Sequence, residues 1–222
     1  CDPENGLQLI TQVQVAPNNV QDTDLLRAGL PSLKARTGVE MIITDAGYTG
    51  PEVDEVLRAH HVVQVPTDMI GREPTPDRFG LIDFAITTDA EGTPQQITCQ
   101  GGQTVPLDRT RTQRFAAAWD SAVCQACPWH AEGRCHGRFA KRDACFHLTF
   151  SIQEYRRAER RRRCLAERQA PKHLRPAVEA TMRSMKHPFP ASKLPVRGLF
   201  RVTCLVIASA AMVNVRRITR FA

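Results

Sequence analysis

Two acidic side chains far apart in this 222-residue chain carry its first chemical suggestion. Asp45 follows the β-rich run Val39-Glu40-Met41-Ile42-Ile43-Thr44 and opens the tetrapeptide Asp45-Ala46-Gly47-Tyr48. Glu179 lies four positions after Arg175 and seven before Lys186, in a segment that reads as a helix. At that spacing Arg175, Glu179, Arg183 and Lys186 share one helix face, and the carboxylate projects between cations. Ligands sit at the carboxyl ends of strands in open α/β sheets, which is where Asp45 falls. If the closing helix packs on the sheet, the two carboxylates converge on divalent ions. Carboxylates are the hard oxygen ligands that Mg²⁺ takes, and a metal pair about 3.5–4 Å apart activates the attacking oxygen and stabilises the leaving one in phosphoryl transfer. Taken singly each residue is ordinary: an Asp beside a glycine makes turns, and Arg175 with Glu179 makes an i,i+4 surface pair.

The cysteines form a separate signal. Cys124-x2-Cys127 has the ligand spacing of a zinc knuckle, and Cys135 lies close downstream. A fourth ligand is needed, for which Cys99, Cys145, His130 and His136 compete; reduced thiols without metal are the plainer reading. Cys164 and Cys204 fall in helical segments as expected buried thiols. Eight cysteines without a secretory signal favour thiols or metal ligands over a disulfide framework.

The elements that must position these groups read as follows. Leu7 to Val15 alternates apolar and polar side chains, as a strand would. A helix capped by Asp22 or Thr23 runs to Gly38, the strand ending at Thr44 follows, Pro51 opens a helix reaching about His60, and Val62 to Val65 is a short strand. After a Pro- and Gly-rich loop, Leu81–Thr87 and Gln95–Cys99 flank Asp89-Ala90-Glu91-Gly92 as a hairpin, and the cysteine-rich stretch comes next. Helices are expected near 150–170, from Pro176, and over 200–218. The apolar stretch Val202 to Val215 is shorter than the ~20 residues that span a bilayer and reads as a buried helix, so no membrane partner is expected.

Composition fits a folded chain, with 42% hydrophobic residues. Charge is unevenly spread: residues 1–150 hold 13 basic and 19 acidic side chains, residues 151–222 hold 17 and 4. So basic a tail attracts a polyanion, with a salt dependence of roughly 0.9 per phosphate contacted. A run such as Arg160 to Arg163 also reads simply as a solvated face.

Together Asp45-Ala46-Gly47-Tyr48-Thr49-Gly50, Arg175-x3-Glu179-x6-Lys186, Leu194-Pro195-Val196-Arg197-Gly198-Leu199 and Asn214-Val215-Arg216-Arg217 resemble the DDE transposases of bacterial insertion sequences. The resemblance implies an RNase H-like α/β fold, a mixed sheet flanked by helices, with an irregular, partly β, cysteine-rich insertion. It makes Asp45 the second catalytic acid and Glu179 the third, holding Mg²⁺ or Mn²⁺, with Arg175 and Lys186 beside them. Tyr48, Arg183, Lys186 and Arg197 become candidate DNA contacts. The implied activity is DNA cleavage and strand transfer at the ends of a mobile element, on double-stranded DNA, by a homodimer in the bacterial cytoplasm at the nucleoid. The same resemblance favours Cys99 as the fourth thiol with Cys124, Cys127 and Cys135 for a structural Zn²⁺.

Two departures from the pattern stand out. Lys172 occupies a place where a tyrosine is usual, and no strand-borne first aspartate is found: Asp2 is too near the start and Asp22 reads as a helix cap. The first acid is therefore expected upstream of Cys1, and this chain is expected to be inactive alone. The expected organisation is residues 1–66 as the first part of the core, 67–149 as the insertion and 150–222 as helices completing the core. A non-catalytic zinc-containing nucleic-acid-binding module and a decayed remnant are the alternatives.

Overall fold

The structure, a computed structural model, describes residues 7–69, 71, 75–135, 137–169, 175–187 and 189–221, with the backbone alone at 175–178 and 192. It divides into two compact units, one made of residues 1–68 and 166–222, the other of 69–165.

In the first unit, helix α1 (Asp22–Thr37) leads into strand β1 (Met41–Thr44), then helix α2 (Pro51–Ala59) and strand β2 (Val63–Pro66). Gly38 ends α1 in the left-handed region at φ 66° and donates its N–H to the Lys34 carbonyl, a termination that only glycine makes at low cost. Strands β1 and β2 pair in parallel, with Met41 opposite Val63 and Thr44 opposite Pro66, so α2 is the crossover of a βαβ unit. Leu30, Val53, Leu57 and Val62 form its core.

The segment Leu7 to Val15, expected as a strand, is extended but makes no ladder among the described residues. Side chains take its backbone and its edge instead. Asn214 pairs with both backbone groups of Ile10, Arg36 donates to the Thr11 carbonyl, and the amides of Gln12 and Gln14 donate to the Gly29 and Leu25 carbonyls of α1. A Cβ at Gly29 would run into both glutamine amides, so the glycine lets the segment lie close on the helix.

The second unit is β-rich. A three-stranded antiparallel sheet holds β3 (Ala85–Thr88), β4 (Pro94–Thr98) and β5 (Thr104–Pro106) in sequence order. The other sheet holds β6 (Asp108–Arg109), β7 (Phe115–Asp120), β8 (Arg138–Ala140) and β9 (Cys145–Phe150) in the order β6-β7-β9-β8. Two short helices, α3 (Ser121–Gln125) and α4 (Pro128–Ala131), lie between β7 and β8. The core joins Phe79, Phe84, Ile97, Phe115, Ala117, Trp119 and Phe150.

Helix α5 (Ile152–Gln169) begins in a capping box: the Ser151 hydroxyl accepts from Glu154 N at 3.2 Å and a Glu154 carboxylate oxygen accepts from Ser151 N at 2.6 Å. The boundary between the units falls inside this helix. Its arginine run is half-buried, not a solvated face. Arg162 alone donates to the carbonyls of Leu81, Ile82 and Phe84 and pairs with Glu159. Helices α6 (Arg175–Lys186) and α7 (Leu199–Phe221) close the chain and pack against each other. Only Ala210 and Val213 of α7 are buried, while Phe200 is 80% exposed, so the buried helix expected there is a largely exposed one. By length and composition α7 alone among the described helices is long enough and apolar enough to cross a membrane. Two of its polar side chains are nevertheless engaged within the first unit: Asn214 pairs with Ile10, and Arg217 donates to the Gln8 carbonyl and the Thr181 hydroxyl.

Candidate functional site

Asp45 leaves the carboxyl end of β1 and caps the single 3-10 turn Ala46–Tyr48, its carboxylate accepting from Gly47 N at 2.9 Å. The side chain is otherwise exposed. Gly47 is there for room: a Cβ would meet the Asp45 carboxylate at 3.2 Å and the Asp22 carboxylate at 3.6 Å. Two carboxylates thus flank one glycine. Tyr48 registers both, since burial first, then Asp22 and then Asp45 push its phenol above the ordinary range. The peptide carbonyl of Tyr48 accepts from the buried Gln64 amide at 2.8 Å, and the same amide nitrogen donates to the Thr44 hydroxyl at 2.9 Å, which fixes the turn to β2. Asp22 is the residue that sequence reasoning set aside as a cap. Gln21 is the N-cap of α1, so Asp22 sits inside the first turn with its carboxylate turned to Gly47. Its place before a helix carried no signal of that approach.

Glu179, Arg183 and Lys186 are exposed on α6 at one-face spacing, and Arg175 is the helix's first residue. Asp45 and Glu179 belong to the same unit, linked through the extended segment: α7 ties Thr181 of α6 to Gln8, and α1 lies against Gln12 and Gln14. Arg197 is exposed immediately before Gly198, whose φ of +88° turns the chain into α7. Asp2, Lys172 and His136 lie outside the described residues.

The four thiols Cys99, Cys124, Cys127 and Cys135 line one cavity of the second unit, together with Trp119 and Trp129. Burial, then Cys99, Cys135, Cys127 and Asp120, hold the Cys124 thiol up at about 11, and burial with Cys127 and Cys99 raises Cys135. Cys145 is turned elsewhere, its thiol donating to the Asp143 carbonyl at 3.3 Å. Cys164 is buried and Cys204 exposed, the latter against expectation. Among the described residues no group of three or more His, Cys, Asp or Glu side chains is set to hold a metal ion as placed.

The model of a transposase DDE domain matches residues 98–219, more than half of the chain. The chain belongs to the transposase DDE domain family. The matched span contains the cysteine segment, Glu179, Arg183, Lys186 and Arg197, while Asp45 and Tyr48 precede it. Comparison with curated proteins and with solved structures gave no match. A transposase acts on DNA, and DDE domains use divalent metal ions, so the exposed carboxylates of the first unit are the groups in which to look for that chemistry.

Proposed function

We propose that this DDE domain cleaves DNA at the ends of a mobile element and joins the freed 3′ hydroxyl to a target, with Asp45 and Glu179 as its second and third acids on an RNase H-like core. The observation that carries this reading is the position of Asp45: an exposed carboxylate at the carboxyl end of a parallel βαβ strand, pinned by a turn, with Asp22 beside it. Two exposed carboxylates beside one turn offer a divalent cation the hard oxygen ligands it takes. Mg²⁺, with Mn²⁺ in its place, fits an all-oxygen donor set of this kind. When bound it would polarise the phosphodiester and activate the attacking oxygen. The chain's own residues do the rest: Asp45 and Glu179 supply oxygen ligands, while Arg175, Arg183 and Lys186 offset phosphate charge along one face of α6. Tyr48 and Arg197 are further contacts to the backbone of a DNA duplex. Two copies acting on paired ends are part of the proposal, as is action at the bacterial nucleoid.

The test is metal-dependent cleavage of a duplex carrying the element's ends by the polypeptide that contains this chain. Asp45→Asn and Glu179→Gln should each abolish cleavage and joining by orders of magnitude while DNA binding persists. Asp22→Asn should lower cleavage more than tenfold at limiting Mg²⁺ and be partly rescued by excess metal. Wild-type cleavage by Asp45→Asn would overturn the assignment.

A further inference from the structure

DNA chemistry leaves the thiol-lined cavity of the second unit unused. Cys99 follows β4 directly and opens a tight turn in which Gly102 N donates to the Cys99 carbonyl at 3.0 Å, with Gly102 at φ +78°. Cys124 and Cys127 bracket a second turn of the same span, where Cys127 N donates to the Cys124 carbonyl at 3.1 Å. The two turns meet at Gly101: a Cβ on that residue would stand 3.0 Å from the Cys127 sulfur and 3.6 Å from the Cys99 sulfur. Cys135 follows α4 and faces the same cavity, of about 560 Å³.

We propose that Cys99, Cys124, Cys127 and Cys135 bind one structural zinc ion as four thiolates. Four soft ligands with no water-bearing position make a closed tetrahedral shell, which is the structural and not the catalytic pattern. The pairing of two turns, each ending in or opening on a cysteine, gives ligands from separated stretches of chain, as a cross-link must. Of the competing ligands, Cys145 does not line the cavity, whereas Cys99 does; the His130 ring, also on the cavity wall, packs edge-on against Phe146 with centroids 4.9 Å apart. No disulfide accounts for the cluster, since all four cysteines are free thiols, in a surround that includes Phe79 and Phe84. As placed the sulfurs do not close on a common point. Binding draws the two turns together, and its free energy becomes folding free energy for a segment whose own helices are only five and four residues long.

The full chain, purified after expression with zinc and passed through a chelator at moderate strength, should retain about one zinc per chain by elemental analysis. Cys99→Ser and Cys127→Ser should each lower retention more than tenfold, and Cys204→Ser should leave it unchanged. Should the serine variants fail to fold, cobalt loading of the wild-type chain still decides the matter: sulfur-to-cobalt charge transfer of a tetrahedral four-thiolate site is expected. Folded protein with no metal and no cobalt spectrum, a disulfide among these four, or full metal retention in both serine variants would overturn the proposal. None of these readings depends on DNA cleavage.

Discussion

Asn214 and Ile10, separated by 204 positions, exchange two hydrogen bonds: Ile10 N donates to the Asn214 side-chain oxygen at 2.8 Å, and the Asn214 amide donates to the Ile10 carbonyl at 2.9 Å. A side chain on α7 thus does for the extended segment what a neighbouring strand would do. Asn214→Leu keeps the bulk and leaves both backbone groups without their partner. The expected cost is about 1–3 kcal/mol, read as a lower urea midpoint with unchanged slope. Unchanged stability would mean that water replaces the amide freely.

The capping box of α5 gives the chain a pH-dependent element. Burial pushes the Glu154 carboxyl up, but the Ser151 N–H and hydroxyl together with Arg114, 2.8 Å away, outweigh it and the net displacement is downward. A carboxyl lowered by folding stabilises above its ordinary range, and that contribution is lost as pH falls through the folded value. Glu154→Gln should therefore reduce stability at neutral pH and flatten the acid limb of the stability curve, the difference from wild type vanishing at low pH. Ser151→Ala, which removes the other half of the box and one of the groups that lowers the Glu154 carboxyl, should cost about 1 kcal/mol at neutral pH and less in acid. Parallel curves for Glu154→Gln and wild type across the acid range would count against the ionised cap.

Much of this fold was readable from punctuation. Gly38, Pro51 and the Asp89–Gly92 turn mark element ends, and the structure puts α1, α2 and the β3–β4 turn where those residues place them, although the first hairpin strand begins only at Ala85 because Leu81–Asp83 forms a 3-10 turn. What was not readable depends on partners far away in the chain. The alternation of Leu7 to Val15 is that of a strand, yet Asn214, Arg217 and Arg36 occupy its backbone, and nothing local announces this. The same holds for Asp22, whose approach to Gly47 is created by the packing of α1 on the turn after β1. Asn214 and Arg217 carried the resemblance to DDE transposases as a motif, and the structure gives both a packing role. In α7 apolar composition alone suggested burial, whereas most of its large side chains face outward.

In the β-rich unit Phe115 is 1% exposed, stacks on Phe150 with centroids 5.4 Å apart, and carries the Arg109 guanidinium 3.8 Å above its ring. Phe115→Ala removes a large side chain from the centre of the core and should cost about 3–5 kcal/mol. Arg109→Ala should cost far less, about 0.5–1 kcal/mol, because the cation–π contact sits at the exposed edge. Chemical denaturation of both variants checks the ranking, and equal losses would place the energy in the cation and not in the ring.

On α6 the proposal assigns Arg183 and Lys186 to phosphates, and counterion release makes that a measurable statement. Both side chains are exposed and lie on the Glu179 face, so neither is needed to hold the helix. Each Ala substitution should weaken binding to unrelated duplexes by a similar factor and reduce the slope of log affinity against log salt by about 1. The helix content should not change. Glu179→Gln should act in the opposite direction, tightening metal-free binding because it removes a negative charge from the same face. Titrations of labelled duplex at several salt concentrations separate the two cases: unchanged slopes for Arg183→Ala and Lys186→Ala would make this face a solvated surface and move the DNA path elsewhere on the domain.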